Sequence, residues 1–198
     1  MIPSPGPLGA SAGGGGPLRA DRRLADGYHG DTTTTPHDTV TAVVALGANL
    51  GDRAATLTAA VEELRRLPLV DGVVASVPIE SVALTLAGAD ETLPAYLNAV
   101  ALVTTRLAPS VLLSYLHAIE SRHGRDRAAE GRWGSRTLDL DLIAYGDVVS
   151  DDPGLTLPHP RAAERDFVLA PWLQVDPDAV LPGYGRVDVV LARLQGRG

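Results

Sequence analysis

The chain has no cysteine and no lysine, and it has a single methionine and a single phenylalanine. Without cysteine there can be no disulfide, no thiolate metal site and no Cys nucleophile. Without lysine, Schiff-base chemistry and a Walker-type phosphate lysine are also excluded. All 17 basic residues are arginine, a bias that fits a GC-rich genome. No apolar run reaches the roughly 18 residues of a membrane span, and the N-terminus lacks the basic-then-apolar layout of a secretory signal. A cytoplasmic location without membrane partners is the expectation. Positive charge is scarce as well. A formal net charge of −7 provides no global field to attract nucleic acid or an anionic bilayer.

The positive charge that does exist is concentrated. Arg122, Arg125, Arg127, Arg132 and Arg136 fall in one short stretch, opposed only by Asp126 and Glu130. A local cationic loop in an acidic chain suits one small anionic ligand rather than a long polyanion. The 198 residues suffice for one ordinary domain with a proper core plus a tail, and a monomer is expected. Residues 1–38, rich in Gly, Pro and Thr, show no apolar periodicity and predict a disordered tail, leaving 39–198 as the domain.

Within that domain the apolar spacing sets out an order of elements. Thr41–Leu46 reads as a buried strand. Asp52 is placed to cap a helix whose stripe is Leu57, Ala60, Val61, Leu64 and Leu67, stopped by Pro68. Val70–Val82 predicts a second strand, with a bulge or edge at Pro78, and Ala83–Pro94 a soft connection. Tyr96–Thr105 alternates as a third strand. Pro109 opens a second helix bearing Leu112, Leu113, Leu116 and Ile119. The arginine loop and a strand through Asp139 and Asp141 follow. The resulting βαββαβ order predicts an α+β, ferredoxin-like sandwich. Beyond it, a turn at Gly146-Asp147, a helix over Ala162–Trp172 and another over Val187–Leu194 predict a C-terminal hairpin and helix extension.

The segment from Gly131 to Ile143 carries the most chemistry. From Thr137 onward polar and apolar residues alternate, which puts Asp139 and Asp141 on one strand face and Leu138, Leu140 and Leu142 on the other. A D-x-D pair by itself is often just a solvated face. Next to five arginines, two carboxylates suit a polyphosphate carried by Mg²⁺, which takes one or two protein carboxylates plus phosphate oxygens. Two Mg²⁺ ions sharing the pair could clamp bridging and leaving oxygens. Arg125, Arg127, Arg132 and Arg136 supply planar forks for phosphate, and Trp133 could pin their loop.

Downstream, His159 is held between Pro158 and Pro160, and Arg161 and Arg165 are spaced to share a helical face. Phe167, a core residue by default, could also stack on a flat heterocycle. Tyr96 and Asn98 share a strand face, and Asn98 offers both a donor and an acceptor. Glu120, near the end of the second helix, reads on its own as a surface residue. Gly47–Asp52 reads as a tight turn.

Taken together, these residues resemble the 6-hydroxymethyl-7,8-dihydropterin pyrophosphokinase family. Arg132–Asp141 matches its Arg-Trp-Gly-Pro-Arg-x-x-Asp-x-Asp run except at Ser135. Ala45–Asp52, Tyr96–Val100, Ile119-Glu120 before Gly124-Arg125-x-Arg127, and Leu157–Arg161 with Arg165 and Phe167 are also similar. The resemblance implies transfer of the β,γ-pyrophosphoryl group of ATP to the pterin hydroxymethyl, with ATP and 6-hydroxymethyl-7,8-dihydropterin as small-molecule partners. It implies that Asp139 and Asp141 hold two Mg²⁺ ions and that Arg125 and Arg136 stabilise the transferring charge. By the same likeness Glu120, Arg127, Arg132, His159, Arg161 and Arg165 serve the nucleotide. Tyr96, Asn98, Trp133 and Phe167 would serve the pterin. Two other readings stay open: a Mg²⁺-dependent transferase acting on another heterocyclic alcohol, and a non-catalytic nucleotide-binding module on the same fold.

Overall fold

The computed structural model describes residues 39–85, 88–90, 94–124 and 137–196. The tail over 1–38 and the loop residues Arg125, Arg127, Arg132, Trp133 and Arg136 lie outside the described residues.

Strand β1 (Val40–Ala48) leads into helix α1 (Arg53–Arg65). Asp52 caps that helix as expected, its Oδ1 accepting the Ala55 N–H at 3.0 Å. The second strand is not continuous. It divides into β2 (Val70–Ala75) and β3 (Ile79–Ser81), both antiparallel to β6 (Tyr96–Thr105). Pro78 has no N–H to give a ladder, and the neighbouring groups are satisfied elsewhere. The Ser76 hydroxyl accepts the Val100 N–H at 3.0 Å, and Val77 N–H donates to Gln174 Oε1 at 3.0 Å. The soft connection contains a short ladder, β4 (Ala83–Thr85) with β5 (Gly88–Asp90), too brief for periodicity to reveal.

Helix α2 (Pro109–Arg122) starts with proline in its first turn, and β7 (Asp139–Tyr145) completes the motif. The main sheet has the order β2-β6-β1-β7, with every neighbouring pair antiparallel. This is a ferredoxin-like α+β sandwich. Ala42, Val44, Leu46 and Ala48 of β1 and Leu138, Leu140 and Leu142 meet α1 and α2 in one core. Val43, Ala45, Val100 and Ile143 face the other way, into a second core.

The C-terminal extension closes that second core, except that Leu155 and Leu157 of its hairpin pack on the first. It comprises the hairpin β8 (Ser150–Asp152) and β9 (Leu155–Leu157), helix α3 (Asp166–Val175), the small ladder β10 (Val180–Leu181) with β11 (Gly185–Arg186), and helix α4 (Val187–Gln195). The helix expected over Ala162–Trp172 is broken. Ala162–Glu164 is a 3₁₀ turn, Arg165 is extended (φ −114°, ψ 93°), and α3 starts after it. Arg161 and Arg165 therefore do not share a helical face. Among the described residues no helix is long and apolar enough to cross a membrane.

Candidate active site

One row across the sheet locates the site. Gly47 in β1 is in register with Asn98 of β6 on one side and with Asp139 of β7 on the other. Two residues along, Ala45 is flanked by Val100 and Asp141. Asn98, Asp139 and Asp141 therefore lie on one face, the α3 side, at the end of the sheet where that core stops. Asp139 and Asp141 are half-buried while Leu138 and Leu140 are buried, the alternation a half-covered strand requires.

Gly47 leaves a floor between the two polar groups. A Cβ there would meet Asn98 Oδ1 at 3.4 Å, Tyr96 Cδ1 at 3.9 Å and Asp139 Cβ at 4.0 Å. The turn reading of this glycine misses that role, which only strand register exposes. On the β6 side Asn98 is buried, and its Nδ2 donates to the Ser81 hydroxyl at 2.8 Å. Ser81 and Val82 line, with Phe167 and Ala170, a cavity of about 500 Å³. Phe167 is half-buried against the second core, so its default core role and its place on a cavity wall coexist.

Asp141 is held from the C-terminal extension. Its Oδ2 accepts from the Arg165 guanidinium at 2.7 Å, and the same oxygen lies 3.9 Å from His159 Nε2. The extended backbone at Arg165 is what releases this side chain toward β7 instead of along a helix. The Arg165 guanidinium also sits 5.9 Å from the centre of the Phe167 ring, within cation–π range. Arg161 turns to Glu164 at 3.5 Å.

His159 owes its position to a β-bulge that sequence reasoning missed. Between Val43 and Val44 the β1–β7 register slips, leaving Ile143 as an extra residue on β7. The carbonyl of Ile143 accepts the His159 N–H at 2.8 Å, directly after the cis Leu157–Pro158 bond. His159 Nδ1 in turn accepts the Arg161 N–H at 3.1 Å, so a neutral ring carries its proton on Nε2, toward Asp141. Burial pushes the His159 pKa below the usual imidazole range. Asp141 and Asp139 act against that shift, while Arg165 and Arg161 reinforce it.

Glu120 is no surface residue. It is fully buried, and its Oε1 accepts the Leu140 N–H at 2.9 Å, the residue between the two aspartates. Among the described residues β7 is an edge strand, and this carboxylate satisfies an N–H that no strand there takes up.

Among the described residues no group of three or more His, Asp or Glu side chains could form a metal cage. Two half-buried carboxylates on one face instead fit Mg²⁺ that keeps ligand and water oxygens in its shell. The described residues thus define an α+β protein of the ferredoxin-like class, with a polar cluster suited to a hard cation and an anion at one end of the sheet.

Known proteins place the chain more closely. Residues 43–177 match the model of the 7,8-dihydro-6-hydroxymethylpterin-pyrophosphokinase (HPPK) family, and the chain belongs to that family. It is 40% identical over 149 residues to a 2-amino-4-hydroxy-6-hydroxymethyldihydropteridine pyrophosphokinase of Pseudomonas aeruginosa, covering 75% of this chain and 88% of that protein. The Haemophilus influenzae protein of the same name is 38% identical over 143 residues, covering 72% of this chain and 86% of the relative. Among solved structures, wild-type Plasmodium falciparum HPPK-DHPS superposes with a TM-score of 0.58 at 12% identity, covering 81% of this chain. This chain spans 45% of that longer one, and the likeness is one of fold.

Proposed function

We propose that this chain transfers the β,γ-pyrophosphoryl group of ATP to 6-hydroxymethyl-7,8-dihydropterin, releasing AMP and the pterin diphosphate, in folate biosynthesis. Family membership supports the reaction. The observation that carries the site is the row in which Gly47 separates Asn98 from Asp139, with Asp141 one step behind on the same face. A heterocycle held at Asn98 would present its hydroxymethyl arm across the glycine toward the carboxylates.

Asp139 and Asp141 are the residues that would hold Mg²⁺, and two ions sharing the pair is the arrangement we favour. When bound, Mg²⁺ neutralises phosphate charge and fixes the geometry of the displacement. The rest falls to protein groups. Asn98, oriented by Ser81, reads the edge of the pterin, Tyr96 borders it and Phe167 supplies a stacking face. His159, neutral and donating from Nε2, and Arg165 and Arg161 serve the phosphates. Glu120 serves the nucleotide end indirectly, by fixing β7 through Leu140. The family resemblance extends the proposal to Arg125 and Arg136 on the transferring group, Arg127 and Arg132 on the nucleotide, and Trp133 over the pterin. No covalent protein intermediate is needed, because positioning and charge stabilisation suffice.

The test is AMP release by purified protein given MgATP, with and without 6-hydroxymethyl-7,8-dihydropterin. Pterin-dependent AMP supports the assignment, and its absence refutes it. Asp141→Asn should lower turnover about a thousandfold, the scale of losing several kcal/mol of charge stabilisation, while leaving the fold intact.

A further inference from the structure

Asp141 and Arg165 raise a problem for metal binding. One oxygen of Asp141, Oδ2, already accepts from the Arg165 guanidinium at 2.7 Å, and both side chains are largely covered (29% and 18% exposed). A charge pair shielded from solvent to this degree is screened far less than a surface pair. A bare divalent ion must displace Arg165 or bind beside it against repulsion. The donor set is also short, since the described residues offer no group of three or more metal-ligating side chains. The remaining oxygens of the shell come from water or from a ligand, and a polyphosphate supplies charged ones.

Arg165 is placed to change partners. Its backbone is extended between a 3₁₀ turn and α3, so the side chain projects toward β7 and does not lie along a helix face. It also lies near the Phe167 ring at 5.9 Å, a weak contact that a swing of the guanidinium can give up cheaply. A guanidinium fork matches phosphate oxygens as well as it matches a carboxylate.

We propose that Arg165 is a built-in counterion that suppresses divalent-cation binding at Asp141 until a polyphosphate draws the guanidinium away, so that metal and nucleotide load together. The inference rests on Asp141 being a metal ligand, as assigned above. By linkage, whatever the nucleotide contributes to metal affinity through Arg165, the metal returns to nucleotide affinity.

The experiment is a Mn²⁺ titration of the full chain, with free Mn²⁺ followed by electron paramagnetic resonance, first without nucleotide and then with α,β-methylene-ATP. Arg165→Met and Arg165→Gln should each bind Mn²⁺ about tenfold more tightly than wild type without nucleotide, a typical coupling for one interaction. The gain produced by the nucleotide should shrink by the same factor. Arg165→Gln is shorter but keeps a neutral hydrogen-bond donor, so agreement between the two variants guards against a folding artefact in either. Arg106→Gln removes one cation at the opposite end of β6, where Arg106 pairs with Asp71, and should behave as wild type. Unchanged Mn²⁺ affinity in both Arg165 variants, or an equal gain in Arg106→Gln, would overturn the proposal. Neither pterin nor turnover enters the titration, so a failure to form AMP is a separate result. If Asp141→Asn binds Mn²⁺ as well as wild type in the presence of the analogue, the metal assignment falls and takes this inference with it.

Discussion

Glu120 Oε1 accepts the N–H of Leu140 at 2.9 Å from a position with no solvent exposure. The bond reaches from α2 to the outer edge of β7 and fastens the one residue that separates Asp139 from Asp141. Removing it strands a buried N–H and opens a cavity, and each effect costs roughly 1–3 kcal/mol. Glu120→Ala should therefore lose about 3 kcal/mol in urea unfolding, whereas Glu120→Gln, which keeps an acceptor, should lose less than half of that. Equal losses in the two variants would show that the hydrogen bond is not what matters.

Gly47 supplies a sharper test of the site's geometry. A Cβ at this position meets its nearest neighbour, Asn98 Oδ1, at 3.4 Å, an ordinary contact, so Gly47→Ala should fold with an unchanged or slightly raised melting temperature. Its methyl would occupy the floor between Asn98 and Asp139. The expected result is a fall in kcat/KM of about tenfold, or ~1.4 kcal/mol, with stability preserved. Full activity in a folded Ala variant would remove the hydroxymethyl arm from this floor.

On the pterin side, Ser81 orients Asn98 through the 2.8 Å bond from Nδ2. Ser81→Ala should raise KM for the pterin a few-fold without changing KM for ATP. Asn98→Ala should raise the pterin KM further, since it removes both the donor and the acceptor. A rise in KM for ATP alone would place these residues on the wrong substrate.

Away from the site, Glu63 of α1 joins the two helices by accepting from Arg122 and meeting His123 Nε2 at 2.7 Å. Burial alone would raise its pKa, but the hydrogen bonds from Arg122 and His123 outweigh it and hold the carboxyl below the usual 4.5. The unfolded chain therefore binds the proton more readily. The stabilisation is present above pH 4.5 and is lost as pH falls through the lower folded value. Glu63→Gln should flatten the acid limb of the stability–pH curve relative to wild type, measured by urea unfolding between about pH 5 and pH 3. Parallel curves would contradict a stabilising role for the Glu63 carboxylate.

Much of the frame was legible because local chemistry coincides with the tertiary fold. Asp52 and Pro109 mark helix starts by capping and by φ, and the Thr137–Leu142 alternation survives as half-buried carboxylates over buried leucines. The parts that were not legible depend on partners distant in sequence. The Ile143 bulge is visible only against β1, and the break at Arg165 only against Asp141. Glu120 looks like any late-helix glutamate until β7 turns out to be an edge strand with an N–H to satisfy. Gly47 reads as turn material until the register places Asn98 and Asp139 on either side of it.

The central claim is that two phosphoryl units leave ATP together, and phosphorus NMR of a single reaction tests it most directly. With wild-type protein, MgATP and 6-hydroxymethyl-7,8-dihydropterin, the account predicts AMP and a pterin diphosphate appearing in equal amounts, with no ADP. ADP accompanied by a pterin monophosphate, or ATP left intact beside the pterin, would contradict it.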